Sequence, residues 1–350
     1  MNDNDSLEHI PPDTGSPRTG LDPWGGEPGS PEPGAGAPSL ASETWDSTDP
    51  NLPEAPANPE MLSPSGDFPL FHSFSQPELI APTRIPHLGH LAFLALPALA
   101  ALLCVFGLTQ LALHYHLFGV STVEAAQTDI HYTLGTMALL YLLTFAAGLP
   151  LFPIFWRRGF FSGLQWNVAF AMLHRQRLLA TAGACFVLAI VNGILLPGPN
   201  DAPIDKMFRT PEAAWLLFGF GVTFAPFFEE IFFRGFLLPA LATSCDWIGE
   251  RSGGKPARLP DASNHPLWSF PAMAIASVLT SIPFALLHAE QTGWAIGPFL
   301  MLVGVSLVLC WVRLSTRSLA ACVVVHACYN FMLFTLMLIS TEGFRHMDKL

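Results

Sequence analysis

Residues 215–238 read Trp215-Leu-Leu-Phe-Gly-Phe-Gly-Val-Thr-Phe-Ala-Pro-Phe-Phe-Glu229-Glu230-Ile-Phe-Phe-Arg234-Gly-Phe-Leu-Leu238, two carboxylates and one guanidinium among phenylalanines. A run this apolar and this long is a membrane span. At mid-bilayer each charge costs about 2.5–3.5 kcal/mol on insertion scales, so each must be paired, protonated or beside water. Helical spacing divides the two acids. Glu230 and Arg234 are four apart and share a face, where they neutralise each other, whereas Glu229 points about 100° away with no such partner. Glu230 with Arg234 is therefore read as a structural ion pair and Glu229 as the carboxylate free for chemistry.

The rest of the chain agrees with lipid as solvent. It is 51% hydrophobic and only 12% charged, with a mean hydropathy of +0.41, against roughly a quarter charged residues in soluble domains. Runs of about 20 apolar residues, enough for a core about 30 Å thick, lie near 88–112, 132–155, 178–197, 212–240, 269–289, 294–312 and 318–339. The expected fold is all-α, a polytopic transmembrane helix bundle of about seven spans. Basic residues gather in alternate connections: Arg157, Arg158, Arg175 and Arg177, then Arg251, Lys255 and Arg258, then Arg313 and Arg317. The positive-inside rule puts those connections and the N-terminal tail in the cytoplasm.

Residues 1–86 hold 14 of the 27 acidic residues and 2 of the 16 basic ones, so the net charge of −11 is a property of the tail. Its Pro, Gly, Ser and acidic content predicts disorder. The remainder is near neutral, and no basic patch suggests nucleic acid. Met1 to Ile10 contain no basic and apolar signal pattern, which predicts no cleavable signal peptide. The six cysteines show no C-x-x-C or metal-type spacing and are read as free thiols.

Two later spans carry further buried polar groups. Phe284 and His288 are four apart in span five, as are His326 and Asn330 in span seven, so each pair occupies one helix stripe. Taken singly, an intramembrane His or Asn is usually a helix-to-helix hydrogen bond. His87, His90, His114, His116 and His131 lie at span ends and are read as interfacial.

Together, Glu-Glu-x-x-x-Arg at 229–234, Phe-x-x-x-His at 284–288 and His-x-x-x-Asn at 326–330 resemble the CAAX protease and bacteriocin-processing family, also called Abi. Ser281 and the Arg317 to Leu319 stretch add to the likeness. The resemblance covers a catalytic core, 205–340; the tail 1–86 and the accessory spans 87–204 match nothing specific, and 341–350 is a short C-terminal tail. It implies an intramembrane endopeptidase acting on a membrane-proximal peptide or protein, of CAAX type or of leader or bacteriocin type. Glu229 and His288 would activate water, His326 and Asn330 would stabilise the oxyanion, and Glu230, Arg234 and Phe284 would support them. General-base and oxyanion chemistry in a dry chamber suits amide hydrolysis.

Zinc is the alternative cofactor, held by Glu229, His288 and His326 with one position left for water. There is no H-E-x-x-H and no evident orienting carboxylate for either imidazole, so a metal-independent reaction with no cofactor is preferred. A non-enzymatic scaffold or immunity protein, and a transporter with Glu229 as a relay, are the other functions open to this pattern. Oligomeric state has no signature in the sequence. One geometric difficulty follows from the spans. With straight helices His288 lies near the outer end of span five and His326 about eight residues from the inner end of span seven, roughly 15 Å apart in depth. A kink at Pro283 or a deeper start of span five would close that gap.

Overall fold

The structure is a computed structural model describing residues 84–346, apart from 200, 201, 209, 257, 259, 260 and 262–265. The tail predicted to be disordered, 1–86, lies outside the described residues except for its last three. The described residues form helices and no strands. Seven helices are long and apolar enough to cross a membrane: α1 Leu88–His114, α2 Ile130–Trp156, α3 Arg175–Leu195, α4 Pro211–Ser252, α5 Phe270–Ala289, α6 Ile296–Thr316 and α7 Leu319–Ser340. These are the predicted spans, with α4 continuing twelve residues beyond its expected end.

Helix starts follow from local chemistry. Asp129 accepts from the backbone N–H groups of His131 and Tyr132 at the head of α2, at 2.9 and 3.1 Å. Thr210, Ser269 and Ser318 cap α4, α5 and α7 through the N–H groups of Ala213, Ala272 and Ala321. Each side-chain oxygen satisfies a donor that the first turn cannot. The helices also differ in how much they bury. Of the most apolar stretch of α1 and of α2, 11% is buried, against 33% in α4 and α5 and 39% in α6. The later helices make the core and the first two lean on it. Arg84, just before α1, is tied to the far end of α4 by a 2.6 Å contact to Glu250 and a 3.9 Å contact to Asp246.

The depth difficulty is resolved by stagger. Ser269 at the head of α5 donates its N–H to Asp246 of α4 at 2.9 Å. Leu319 at the head of α7 packs instead beside Gly235, where a Cβ would sit 3.3 Å from the leucine. Eleven residues of α4 separate these levels, roughly 16 Å at 1.5 Å per residue. That offset cancels the one expected between His288 and His326. The head of α7 can start so deep because the connection after α2 folds back beneath it. Phe160 and Leu164 of that connection are buried, Gln165 O accepts the Leu319 N–H at 3.1 Å, and Asn167 O accepts from Ser318 at 2.9 Å.

Arg313 corrects the loop assignment made from sequence. It lies inside α6 and is only 4% exposed, so it is a core residue and not part of the basic connection that follows.

Candidate active site

α4 is a composite. α-Helical Pro211–Gly219, Ala225–Glu230 and Leu238–Ser252 are separated by two π-helical turns, Phe220–Phe224 and Ile231–Leu237. The two glutamates occupy the short α-helical piece between them. Such π turns often sit at functional sites, and here the sequence shows how both arise. At the end of the first turn the Ala225 N–H reaches back five residues to Phe220 O. At the end of the second, the Leu238 N–H reaches Phe233 O. The next residue each time is a proline, Pro226 and Pro239, which has no N–H to give. The carbonyls of Gly221 and Arg234 thus lose both donors the helix could have offered. An unpaired buried carbonyl is costly, and each is met from a neighbouring helix. Asn330 Nδ2 of α7 donates to Gly221 O at 2.7 Å. Arg313 Nε of α6 donates to Arg234 O at 3.1 Å. A Cβ at Gly221 would lie 2.8 Å from the Phe334 ring, which would have to shift to admit it.

Between the turns the acids part company as helical spacing requires. Glu230 and Arg234 are wholly buried and joined at 2.8 Å. Arg234 Nη2 also donates to the Ser306 hydroxyl at 2.7 Å and to its carbonyl at 3.1 Å. The guanidinium lies 4.7 Å over the Phe284 ring. The same Glu230 oxygen is 2.8 Å from His326 Nδ1. A carboxylate only accepts, so that imidazole proton sits on Nδ1 and leaves Nε2 without one in the neutral ring. His326 Nε2 is then 3.9 Å from Glu229 Oε2.

Among the described residues Glu229 has no guanidinium partner. It lines a cavity of about 530 Å³ together with His288 and Gln291 of the α5 end, Tyr141 and Thr144 of α2, and a mostly apolar remainder from α1, α2 and α4. His288 directs Nδ1 at its own helix, 2.8 Å from Phe284 O, which leaves Nε2 as the outward nitrogen. Phe284 stands between the imidazoles, with ring centroids 5.0 Å from His288 and 5.9 Å from His326.

The sequence-derived residues therefore fall into three places. Glu229 and His288 face the cavity; Glu230, Arg234, Phe284 and His326 form the buried layer behind it; Asn330 holds the first π turn. Both imidazoles have an acceptor on Nδ1, Glu230 for His326 and a backbone carbonyl for His288; the first corrects the expectation that no carboxylate orients either ring. Among the described residues no three His, Cys, Asp or Glu side chains converge closely enough to hold a metal ion. Sequence reasoning passed over Arg313, Ser306 and the two prolines. The signal was there in the repeated pattern Gly221-x-x-x-x-Pro226 and Arg234-x-x-x-x-Pro239.

Comparison with known families adds one match. Residues 211–332 fit the family described as type II CAAX prenyl endopeptidase, Rce1-like. This segment is similar to an Rce1-like domain. It runs from the head of α4 into α7 and holds all seven residues named above. The family is one of proteases, so hydrolase activity holds for the family, and with seven apolar spans the chain is an integral multi-pass membrane protein. No curated protein and no solved structure matches. α1 and α2, which wall the cavity opposite that segment, lie outside the matched residues.

Proposed function

We propose that the chain is an intramembrane endopeptidase in which Glu229 activates water against a peptide bond held in the cavity. The observation that carries this is the division of the two acids. Glu230 is consumed by Arg234 and His326, whereas Glu229 faces a largely apolar chamber beside His288. Water bound between Glu229 and His288 Nε2 gives its proton to the Glu229 carboxylate as its oxygen attacks the carbonyl carbon. The tetrahedral oxyanion collapses, the C–N bond breaks, and the proton passes from Glu229 to the leaving nitrogen. The products are a carboxylic acid and an amine, which leave as carboxylate and ammonium once the acid's proton has passed to the amine, and Glu229 is ionised again.

Glu230, Arg234 and Ser306 act by position, fixing His326 beside the base. No metal takes part in this scheme. The substrate is a membrane-proximal peptide of CAAX type, whose prenyl chain suits the apolar walls. The basic connections and the tail face the cytoplasm, where such C-termini are made.

Glu229→Gln keeps the size of the side chain and removes the base. Termini of membrane proteins compared by mass spectrometry between cells carrying wild type and Glu229→Gln should show a set of cleavages missing in the variant. Equal cleavage by both at equal protein levels would falsify the mechanism. Incubation of the wild type with a chelator should leave activity unchanged, and loss restored by zinc would return the reaction to the metal alternative.

A further inference from the structure

We infer that the connection between α2 and α3, together with the first turn of α3, is a binding surface for anionic phospholipid, with Arg157, Arg158 and Arg175 on the head-group phosphates. The inference goes beyond the hydrolytic reading and does not depend on it. From 130 to 200 the chain contains no aspartate or glutamate, while 157–177 holds four arginines. Among the described residues Arg157 and Arg158 make no ion pair, and Arg175 reaches only Met172 O of the preceding turn, at 3.2 Å. Arg175 also opens α3, the end of a helix where a cation is least favoured. α2 ends at Trp156 and α3 begins at Arg175, and each crosses the membrane once, so the connection and its arginines lie at one membrane face.

The connection contains two short helical pieces, Phe160–Gly163 and Val168–Leu173, and each has an inner and an outer side. Phe160, Leu164 and Ala171 are buried in the bundle, whereas Phe161, Val168, Met172 and Leu173 are 39, 50, 60 and 78% exposed. Large apolar side chains interleaved with unpaired arginines suit neither water nor the hydrocarbon core. They suit the boundary between head groups and acyl chains, where an amphipathic segment buries its apolar side and its cations meet phosphate. A guanidinium is the side chain best shaped for that phosphate. A nucleic acid or an acidic protein would satisfy the arginines but leave the apolar side chains in water.

The inner side of the same segment holds the core. The Trp166 ring lies 5.7 Å from Phe161 and 5.6 Å from Phe227, which is two residues before Glu229. Leu164 O and Gln165 Oε1 accept from Arg313, and Gln165 O and Asn167 O accept from the head of α7. A lipid bound to the outer side therefore favours the folded arrangement, and a ligand that binds only the folded chain raises its unfolding temperature.

The test uses the purified full chain in neutral detergent, titrated with phosphatidylglycerol or with phosphatidylcholine of the same acyl chains. Bound lipid is counted by native mass spectrometry and Tm is followed in parallel. The wild type should retain phosphatidylglycerol and gain Tm with it, and should do neither with phosphatidylcholine. Arg157→Gln, Arg158→Gln and Arg175→Gln should each weaken phosphatidylglycerol binding about fivefold, the effect of one basic residue near an anionic surface, and the triple variant about 10²-fold. Arg251→Gln with Lys255→Gln, on another basic connection, should bind as the wild type does. Equal retention of both lipids by the wild type overturns the assignment, and so does an equal loss in the Arg251 and Lys255 variant, which would leave only the diffuse charge of that face. If the triple variant does not fold, the single variants carry the test, and wild-type binding by all three overturns the inference. Cleavage is not among the readouts, so its presence or absence bears on the hydrolytic reading alone.

Discussion

The two π turns of α4 solve one backbone problem with unlike partners. In the first, the carbonyl left over by Pro226 is met by a neutral amide, Asn330, on a helix that is partly open. In the second, the carbonyl left over by Pro239 is met by Arg313, which also reaches Leu164 O at 3.2 Å and Gln165 Oε1 at 2.6 Å. One partner does a single task. The other joins three segments, α4, α6 and the connection beneath α7, through one buried cation. The first turn is therefore the adjustable side of the glutamate pair and the second its fixed side.

That contrast can be broken at its strong end first. Replacing Arg313 with methionine keeps volume but leaves two buried carbonyls and an amide oxygen unmet. At about 1–3 kcal/mol for each unsatisfied group, stability in detergent should fall by about 3 kcal/mol or more, read as a large drop in unfolding temperature and in yield of folded protein. An unchanged melting temperature would show that the second turn does not need its donor. Asn330→Ala should cost less, about 1 kcal/mol, in the range found for single hydrogen bonds between membrane helices. Its activity should drop more than its stability, because the turn it pins sets the direction of Glu229. The smallest effect sharpens the comparison most. Pro226→Ala restores an N–H that can reach Gly221 O, so the double variant Pro226→Ala with Asn330→Ala should be more stable than the sum of the single changes by a few tenths to about 1 kcal/mol. Strict additivity would mean that the proline and the amide are unconnected.

The division between what sequence shows and what it hides follows the same physics. The seven spans were legible because transfer from water to lipid is summed over about 20 side chains, and no single contact can reverse it. The Glu230 and Arg234 pair was legible because i, i+4 geometry belongs to the helix alone. Arg313 was not. A basic residue at the end of an apolar run has the composition of a loop flank, and only the fold shows three carbonyl or amide oxygens waiting for it. The stagger between α5 and α7 was hidden for a related reason. Hydropathy measures length but not level, and the level of α7 is set by residues 160–167, an apolar stretch too short to be counted as a span. Asn330 lies between these cases, since its helix stripe is local but its partner Gly221 is 109 positions away.

Heredity acts on this arrangement as on a lock and its key. Either proline alone is a defect, and either distant donor alone is a stranded polar group in oil. A lineage that drifts at one of these positions gains by drifting at the other, and a designer who transplants α4 into a new bundle must carry an amide and a guanidinium along on foreign helices.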